Sequence, residues 1–560
     1  TQERSYKRKV KEAILSVKIH NQLSKSEILE GYLNTIYFGN GAYGVEVAAK
    51  TYYGKSAAKL TVRESAALAT IINSPNFYDP YAEGAKERIT PRYNYVLDGM
   101  LKAGAIDSTE AAEAKDNLPK FQKKKDINRF SGPKGYLLQL VREQMDDLEF
   151  TSEQIDGGGL RIVTSFDYAK QMKAIESVKA LRPAAKGLHQ SLVSIQPGTG
   201  AVRAMYGGKD YLENQVNWAT ARTQPGSTFK PFAVIAALEN GYSLKTLLNG
   251  NSPLMKNGEQ IAENQGDSGG ASFGRIPLSF ATQESVNTAF VDLMDQMDDG
   301  PDKVIEAAAE AGIPSSLLES QRKRENGSMP LVTPLGYFGV APVDMANAYA
   351  TLAANGKRAD WYVIQRVRDS SGTIAYKHKV EAEQTIDKDV VADTVSAMQG
   401  VVRSGTGVNG RTVCPTAGKT GTATAGADDD QHVSSSWFAG FTPKLATAVM
   451  YNRGKNGNAD LENYMIPFFG GQIPAKTFAL YMNGVLDPND CGTFPAPANV
   501  TADEGTDYVA PAPKPKPKPR PTTAKPTTPA PTTAEPTEPE PTEPEPESTL
   551  PTPRPRPTQR

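Results

Sequence analysis

Ser227-Thr-Phe-Lys230, Ser285-Val-Asn287 and Lys419-Thr-Gly421 follow one another along the 560-residue chain. Together they contain the parts of a serine acyl-transfer site that uses lysine where other enzymes use histidine. A serine hydroxyl is a weak nucleophile and needs a base. A buried lysine can serve if desolvation and a neighbouring cation lower its pKa toward neutral. Lys230 is three residues after Ser227, hence on the same helix face, and Lys419 is the candidate cation. Ser285 can relay a proton to a leaving amine, and Asn287 can hydrogen-bond Lys230 and a substrate amide. Lys419 can hold a carboxylate. Gly421 would let a substrate backbone approach closely. The amides of Ser227 and Thr422 can form an oxyanion hole, where one donor is typically worth about a hundred- to a thousandfold in rate.

Each part alone is weak. Ser-x-x-Lys recurs at Ser56/Lys59, Ser131/Lys134 and Ser320/Lys323, and Ser-x-Asn at Ser74/Asn76, whereas Lys-Thr-Gly occurs once. Taken singly, Ser227 reads as a helix N-cap, Ser285 and Asn287 as turn formers, and Lys419 as an exposed lysine guarding an edge strand. The ordered combination carries the chemistry.

These residues need elements to hold them. The apolar stretch Phe229–Leu238 follows the turn Gln224-Pro-Gly226 and stops at Glu239-Asn-Gly241, which predicts a buried helix beginning at Ser227. Lys419–Thr424 reads as an edge-accessible strand. It is followed by strands Ser434–Phe441 and Leu445–Tyr451 around the hairpin Thr442-Pro-Lys444. Leu192–Gln196 and Ala201–Tyr206 read as two more strands around Pro197–Gly200, with helices over Asp302–Gly312, Pro342–Gly356 and Asp387–Gly400. Gly405-x-Gly407 reads as a helix stop.

Other chemistry fits less well. Gly270-Ala-Ser-Phe-Gly274 spells a nucleophile elbow, but Glu259–Gly270 before it is polar and loop-like rather than a buried strand. The histidines, His20, His189, His378 and His432, form no metal-type pair and read as surface or loop residues. No Walker or dinucleotide fingerprint is present. A net charge of −1 gives no global field for nucleic acid. Cys414 and Cys491 suit one disulfide or two buried thiols equally. No run of about eighteen apolar residues exists to span a membrane.

The organisation divides into a helix-rich segment, residues 1–125, a connector at 126–185, an α/β domain at 186–490 and a linker at 491–510. A Pro/Thr/Glu-rich stretch at 511–560 lacks the means to build a core. Ser24-Lys-Ser-Glu27 and Thr61-Val-Arg-Glu64 are capping-box candidates. Ile28, Leu29, Tyr32, Leu33 and Ile36 follow the first at helical spacing, and Pro75 closes the helix that follows the second.

The residues resemble class A penicillin-binding proteins, bifunctional peptidoglycan synthases. The three motifs, Arg222–Phe232 and Ser434–Pro443 are similar to their transpeptidase domain. Arg8-Lys-Val-Lys-Glu12, Lys25–Asn34, Tyr37–Gly44 and Ala48–Tyr53 are similar to the family 51 glycosyltransferases that precede it. The resemblance implies a mainly α, lysozyme-like glycosyltransferase fragment, then a β-lactamase-like transpeptidase with a mainly antiparallel sheet flanked by helices, then a disordered tail. It implies Ser227 as nucleophile toward D-Ala-D-Ala stem peptides, with Lys230, Ser285, Asn287 and Lys419 catalytic. Thr420, Gly421 and Thr422 would bind substrate. In the glycosyltransferase part it implies Glu12 as catalytic and Arg8 and Lys9 as binding residues. The family's first catalytic glutamate belongs upstream of everything present, so that half is expected to be truncated and inactive, and a membrane anchor would also lie upstream.

The resemblance further implies an extracytoplasmic place at the bacterial membrane. Partners would be stem peptides, lipid II or glycan strands and β-lactams, with division or elongation machinery compatible and nucleic acid not expected. No cofactor is expected for the transpeptidase. A divalent cation is compatible with the glycosyltransferase half but not indicated by its residues. Competing readings are a D,D-carboxypeptidase or β-lactamase, which lack so long a front segment, and a non-catalytic penicillin-sensing or wall-binding module.

Overall fold

The computed structural model describes residues 16–123, 129–265, 270–424, 433–461 and 468–500. Arg8, Lys9, Glu12, His432 and the Pro-rich stretch lie outside the described residues.

The front segment is helical, with helices at Lys25–Thr35, Val45–Tyr53, Val62–Ile71, Ala85–Lys102 and Ser108–Ala114. Both expected capping boxes form. Ser24 and Thr61 accept from the Glu27 and Glu64 amides, and the glutamates accept in return. Each reciprocal pair satisfies two amides that a helix start leaves orphaned. The second helix ends at Ile71, short of Pro75. Helix Lys25–Thr35 buries none of its residues. Of its periodic apolar residues Leu33, with Ile36 just past the helix end, packs partly buried against the core around Phe38, whereas Leu29 and Tyr32 are exposed. The segment's cores are two small clusters, one around Phe38, Tyr52 and Ile71 and one around Ile89, Tyr93 and Leu97.

The second part is built on a five-stranded antiparallel sheet. Its strands are β1 (Leu188–Ile195), β2 (Val202–Tyr206), β3 (Ala417–Thr424), β4 (Val433–Thr442) and β5 (Leu445–Arg453), in the order β3-β4-β5-β1-β2. Thr442 faces Leu445, so Pro443-Lys444 is a two-residue hairpin turn. Alternate side chains serve two cores. Val193 and Trp437 join one cluster with α2 (Lys230–Glu239) and α5 (Pro342–Ala353). Leu192 and Phe438 join the other with α1 (Tyr168–Ala180) and α7 (Ile473–Val485). A sheet covered on both faces explains why β4 is buried along its whole length despite its serines.

The segment at 126–185 contributes to this body: α1 packs on β2, and strand Arg161–Thr164 pairs with Ile364–Arg368. The remaining helices near the site are α3 (Leu278–Glu284), α4 (Asn287–Gln296) and α6 (Lys388–Arg403). Cys414 and Cys491 form a disulfide, which decides between the two readings of the pair. His189 lies on β1 stacked on Trp218, and His378 stacks on Tyr362, so neither is a free surface imidazole. The Gly270–Gly274 stretch is loop. Glu259–Ala262 forms a short strand ahead of it, and Ser272 Oγ donates to the Ser252 carbonyl as a loop brace.

Candidate active site

The nucleophile candidate sits where a turn of 3-10 helix, Gly226–Phe229, leads into α2. Every residue from Lys230 to Leu238 is buried, which fixes this helix against the core. Two bonds brace the turn: Thr228 Oγ1 donates to the Pro225 carbonyl at 2.8 Å, and Tyr349 Oη donates to the Thr228 carbonyl at 2.9 Å. Ser227 is half-buried, and Pro225 makes no side-chain cap. Ser227 is therefore inside the turn rather than its N-cap.

Lys230 and Lys419 come from sequence positions far apart, yet both are fully buried and both reach Ser285. Lys230 Nζ lies 2.7 Å from the Ser285 carbonyl, 2.8 Å from Asn287 Oδ1 and 3.2 Å from Ser285 Oγ. Lys419 Nζ donates to Ser285 Oγ at 2.7 Å and to the Thr420 carbonyl at 3.2 Å. The exposed edge lysine that sequence alone allows is thus excluded. Ser285 joins α3 to α4 in the left-handed conformation, φ 60° and ψ 38°. Such a backbone costs a non-glycine residue roughly 1–3 kcal/mol, and here it turns Ser285 between the two lysines. Asn287 is anchored in turn by donating from Nδ2 to the Glu263 carbonyl at 2.9 Å.

Burial, and after it the charge of Lys419, hold the Lys230 amine well below the ordinary lysine range. Burial also brings Lys419 down to about 7, opposed by the Glu284 carboxylate. A neutral Lys230 has two N–H donors, and the Ser285 carbonyl and Asn287 Oδ1 accept them. Its lone pair is then the group left to take a proton. The Phe290 ring, 5.1 Å from the amine, completes its wall.

β3 passes the nucleophile turn at close range. Gly226, at φ +55°, lies against Thr422: a Cβ there would sit 2.6 Å from the Thr422 carbonyl oxygen and 2.8 Å from its amide nitrogen. Only glycine permits that approach, and it brings the Ser227 main chain beside Thr422. Gly421 behaves differently from expectation. A Cβ on it would collide with the Pro225 carbonyl and approach Thr228 Cγ2 to 2.8 Å, so the backbone that needs its bare Cα is the chain's own.

Thr406, hidden in the Gly405-x-Gly407 stop signal, was not singled out by sequence. Its hydroxyl pairs with Thr420 Oγ1 at 2.9 Å and its amide donates to the Gln283 carbonyl, which joins α3 to β3. A hydroxyl between two glycines immediately before Lys-Thr-Gly in space leaves no periodic signal. The structure thus brings Ser227, Lys230, Ser285, Asn287, Lys419, Thr420, Gly421 and Thr422 to one place. Among the described residues no group of three His, Cys, Asp or Glu gathers to hold a metal, and no helix is long and apolar enough to cross a membrane.

The chain is similar to known proteins in both of its parts. Residues 190–465 match the penicillin binding protein transpeptidase domain, and residues 1–101 match the transglycosylase family. The chain is 33% identical over 506 residues to penicillin-binding protein 1A of Mycolicibacterium smegmatis, with 88% of this chain and 62% of that protein covered. It therefore spans about three fifths of that relative's length. It is 30% identical to penicillin-binding protein 2a of Streptococcus pneumoniae, covering 87% of this chain and 69% of that one. The solved structure of penicillin-binding protein PonA1 from Mycobacterium tuberculosis superposes with a TM-score of 0.60 at 30% identity, over 69% of this chain and all of that one. A second structure of PonA1, in complex with penicillin V, has a TM-score of 0.59. With both domain types present and relatives of this identity and coverage, the chain belongs to the class A penicillin-binding proteins.

Proposed function

We propose that the chain crosslinks peptidoglycan as a D,D-transpeptidase through an acyl-Ser227 intermediate. The observation that carries this reading is the pair of buried lysines converging on Ser285, with Lys230 one turn after Ser227 and its amine pushed well below the ordinary lysine range by burial. Ser227 Oγ attacks the carbonyl of the penultimate D-alanine of a stem peptide, and Lys230 accepts its proton. The Ser227 and Thr422 amides hold the oxyanion. Ser285, bonded to Lys419, delivers a proton to the amine of the departing D-alanine. Lys419, Thr420 and Thr422 bind the terminal carboxylate. An amine of a second stem then attacks the ester, releases Ser227 and forms the crosslink. Asn287 orients Lys230 and the substrate amide.

A β-lactam would acylate the same serine, a reading supported by the penicillin V complex of PonA1. The transglycosylase match at 1–101 supports a parent protein that also polymerises lipid II, with Arg8, Lys9 and Glu12 as its residues on this chain. The family supports a place on the outer face of the bacterial membrane. That same match disfavours a simple carboxypeptidase or β-lactamase.

The test is labelling with a fluorescent penicillin. The wild-type chain should acquire covalent label and Ser227→Ala should lose it. A folded wild-type chain that stays unlabelled would sink the catalytic reading.

A further inference from the structure

Two hydroxyls of β3 are each met from outside the sheet. Thr420 Oγ1, on a buried residue, lies 2.9 Å from Thr406 Oγ1. Thr422 Oγ1 accepts from the Gly470 amide at 3.3 Å. Thr406 follows α6 and Gly470 precedes α7, so neither group belongs to the three motifs.

Thr406 is held on both sides. Its amide donates to the Gln283 carbonyl of α3 at 3.2 Å. Opposite, Gly471 packs so closely that a Cβ on it would sit 2.3 Å from the Thr406 carbonyl oxygen. Asn409 Nδ2 fastens that contact by donating to the Gly471 carbonyl at 2.7 Å. Thr406 itself is half-buried, and Thr420 Oγ1 is the hydrogen-bond partner of its hydroxyl among the described residues.

A hydroxyl carries one proton and two lone pairs. Within the Thr406–Thr420 pair either oxygen can be the donor. An anion beside Thr420 removes that freedom. A carboxylate only accepts, so Thr420 must turn its proton to it, and Thr406 must then donate to the oxygen behind. Lys419 Nζ, 3.4 Å from Thr420 Oγ1, also approaches that oxygen as a donor. The chain from Thr406 through Thr420 to the carboxylate thus runs in one direction, and each donor polarises the next. Thr422 is set in the same sense: the Gly470 amide can only donate, which leaves the Thr422 proton available to a ligand.

The inference rests on the transpeptidase reading given above, in which Thr420 and Thr422 take the terminal carboxylate. We propose that Thr406 is a positioning residue for that carboxylate, its hydroxyl setting the direction of the Thr420 hydrogen bond without touching the substrate.

The test compares acylation by benzylpenicillin, which carries a carboxylate, with acylation by its methyl ester, which does not. Second-order rates for both are read by mass spectrometry. Thr406→Val keeps the shape and removes the hydroxyl. It should slow the acid about tenfold and leave the ester within about twofold of wild type. Thr406→Ser should recover most of the acid's rate. Thr406→Ala supplies a second chain without the hydroxyl, with the same expected split, should Thr406→Val fail to fold. Equal slowing of acid and ester would reduce Thr406 to a brace between α3 and β3, and an unchanged acid rate or no recovery in Thr406→Ser would equally overturn the proposal. A wild type acylated by acid and ester at the same rate loses the carboxylate role alone, whereas one acylated by neither loses the transpeptidase reading and this inference with it.

Discussion

The five-stranded sheet has two edges, and they are finished in opposite ways. Along β2 the outward backbone groups are consumed by the chain itself. Gln171 Nε2 donates to the Met205 carbonyl and its Oε1 accepts from the Met205 amide, both at 2.8 Å. Ser165 Oγ donates to the Val202 carbonyl, the Asp167 amide to the Arg203 carbonyl, and the Val202 amide to the Tyr362 carbonyl. A glutamine side chain thus plays the part of a missing strand. Along β3, no group outside the sheet takes the Thr422 amide or carbonyl among the described residues, although the Ser227 turn stands beside them. An unpaired edge normally invites aggregation. Here the open stretch lies where a peptide substrate would pair, and the other edge is closed by side-chain and backbone groups of the chain itself.

The largest expected break in that contrast is Lys230→Met. It keeps the volume of the buried stem and removes the proton acceptor, so penicillin acylation should fall by on the order of a hundred- to ten-thousandfold. Stopped-flow or time-course labelling measures it, and a rate within tenfold of wild type would displace Lys230 as base. The counterpart on the closed edge is Gln171→Ala. It strands a buried amide and a buried carbonyl of Met205, which should lower unfolding free energy by about 2–4 kcal/mol in urea titrations. The acylation rate of the folded protein should not move. Loss of acylation without loss of stability would show that the two edges are not separable.

Much of the open edge was legible in sequence because its chemistry sits in short motifs. Lys419-Thr-Gly421 names a strand, an edge and a cation within three residues, and Ser227 to Lys230 fits one helical turn. What sequence left open is what depends on distant partners. Burial of Lys419 follows from Ser285, 134 residues away. The Gln171 seal on Met205 spans 34 residues and leaves no periodic trace, since a glutamine on an amphipathic helix reads as surface although this one is buried. Helix α7 carries no motif or cap that marks it, and α1 lies in the segment whose composition reads as connector, although both pack on the sheet. Thr406 was absorbed into a glycine stop signal. The three-motif site needed only local pattern, whereas the shape of its support needed the fold.

A smaller effect is expected where the two kinds of finish meet. Gly421 lies on the open edge but is packed by the chain's own Pro225 and Thr228. Gly421→Ala should push the nucleophile turn from β3 and cost roughly 1–3 kcal/mol in acylation rate, or about five- to 150-fold. Thermal stability should change less than in Gln171→Ala. If the substitution were silent in acylation, the Pro225 contact would not position Ser227, and the glycine would matter only for substrate approach.

The smallest effect is a matter of pH and isolates the cation of the open edge. Burial brings Lys419 down to about 7 in the free protein, with the Glu284 carboxylate opposing. The protonated form is the one that attracts a terminal carboxylate, so raising the pH through 7 removes that attraction. For a D-Ala-D-Ala peptide, kcat/KM should therefore fall above about pH 7, tending toward tenfold per unit, because that parameter reports the free enzyme. A bound carboxylate favours the ammonium form and raises its pKa, so the falling limb of kcat should appear at higher pH. A peptide with an amidated terminus has no carboxylate to lose and should lack the limb. Profiles that coincide for the acid and the amide would remove Lys419 from carboxylate recognition and leave it only as the bonding partner of Ser285.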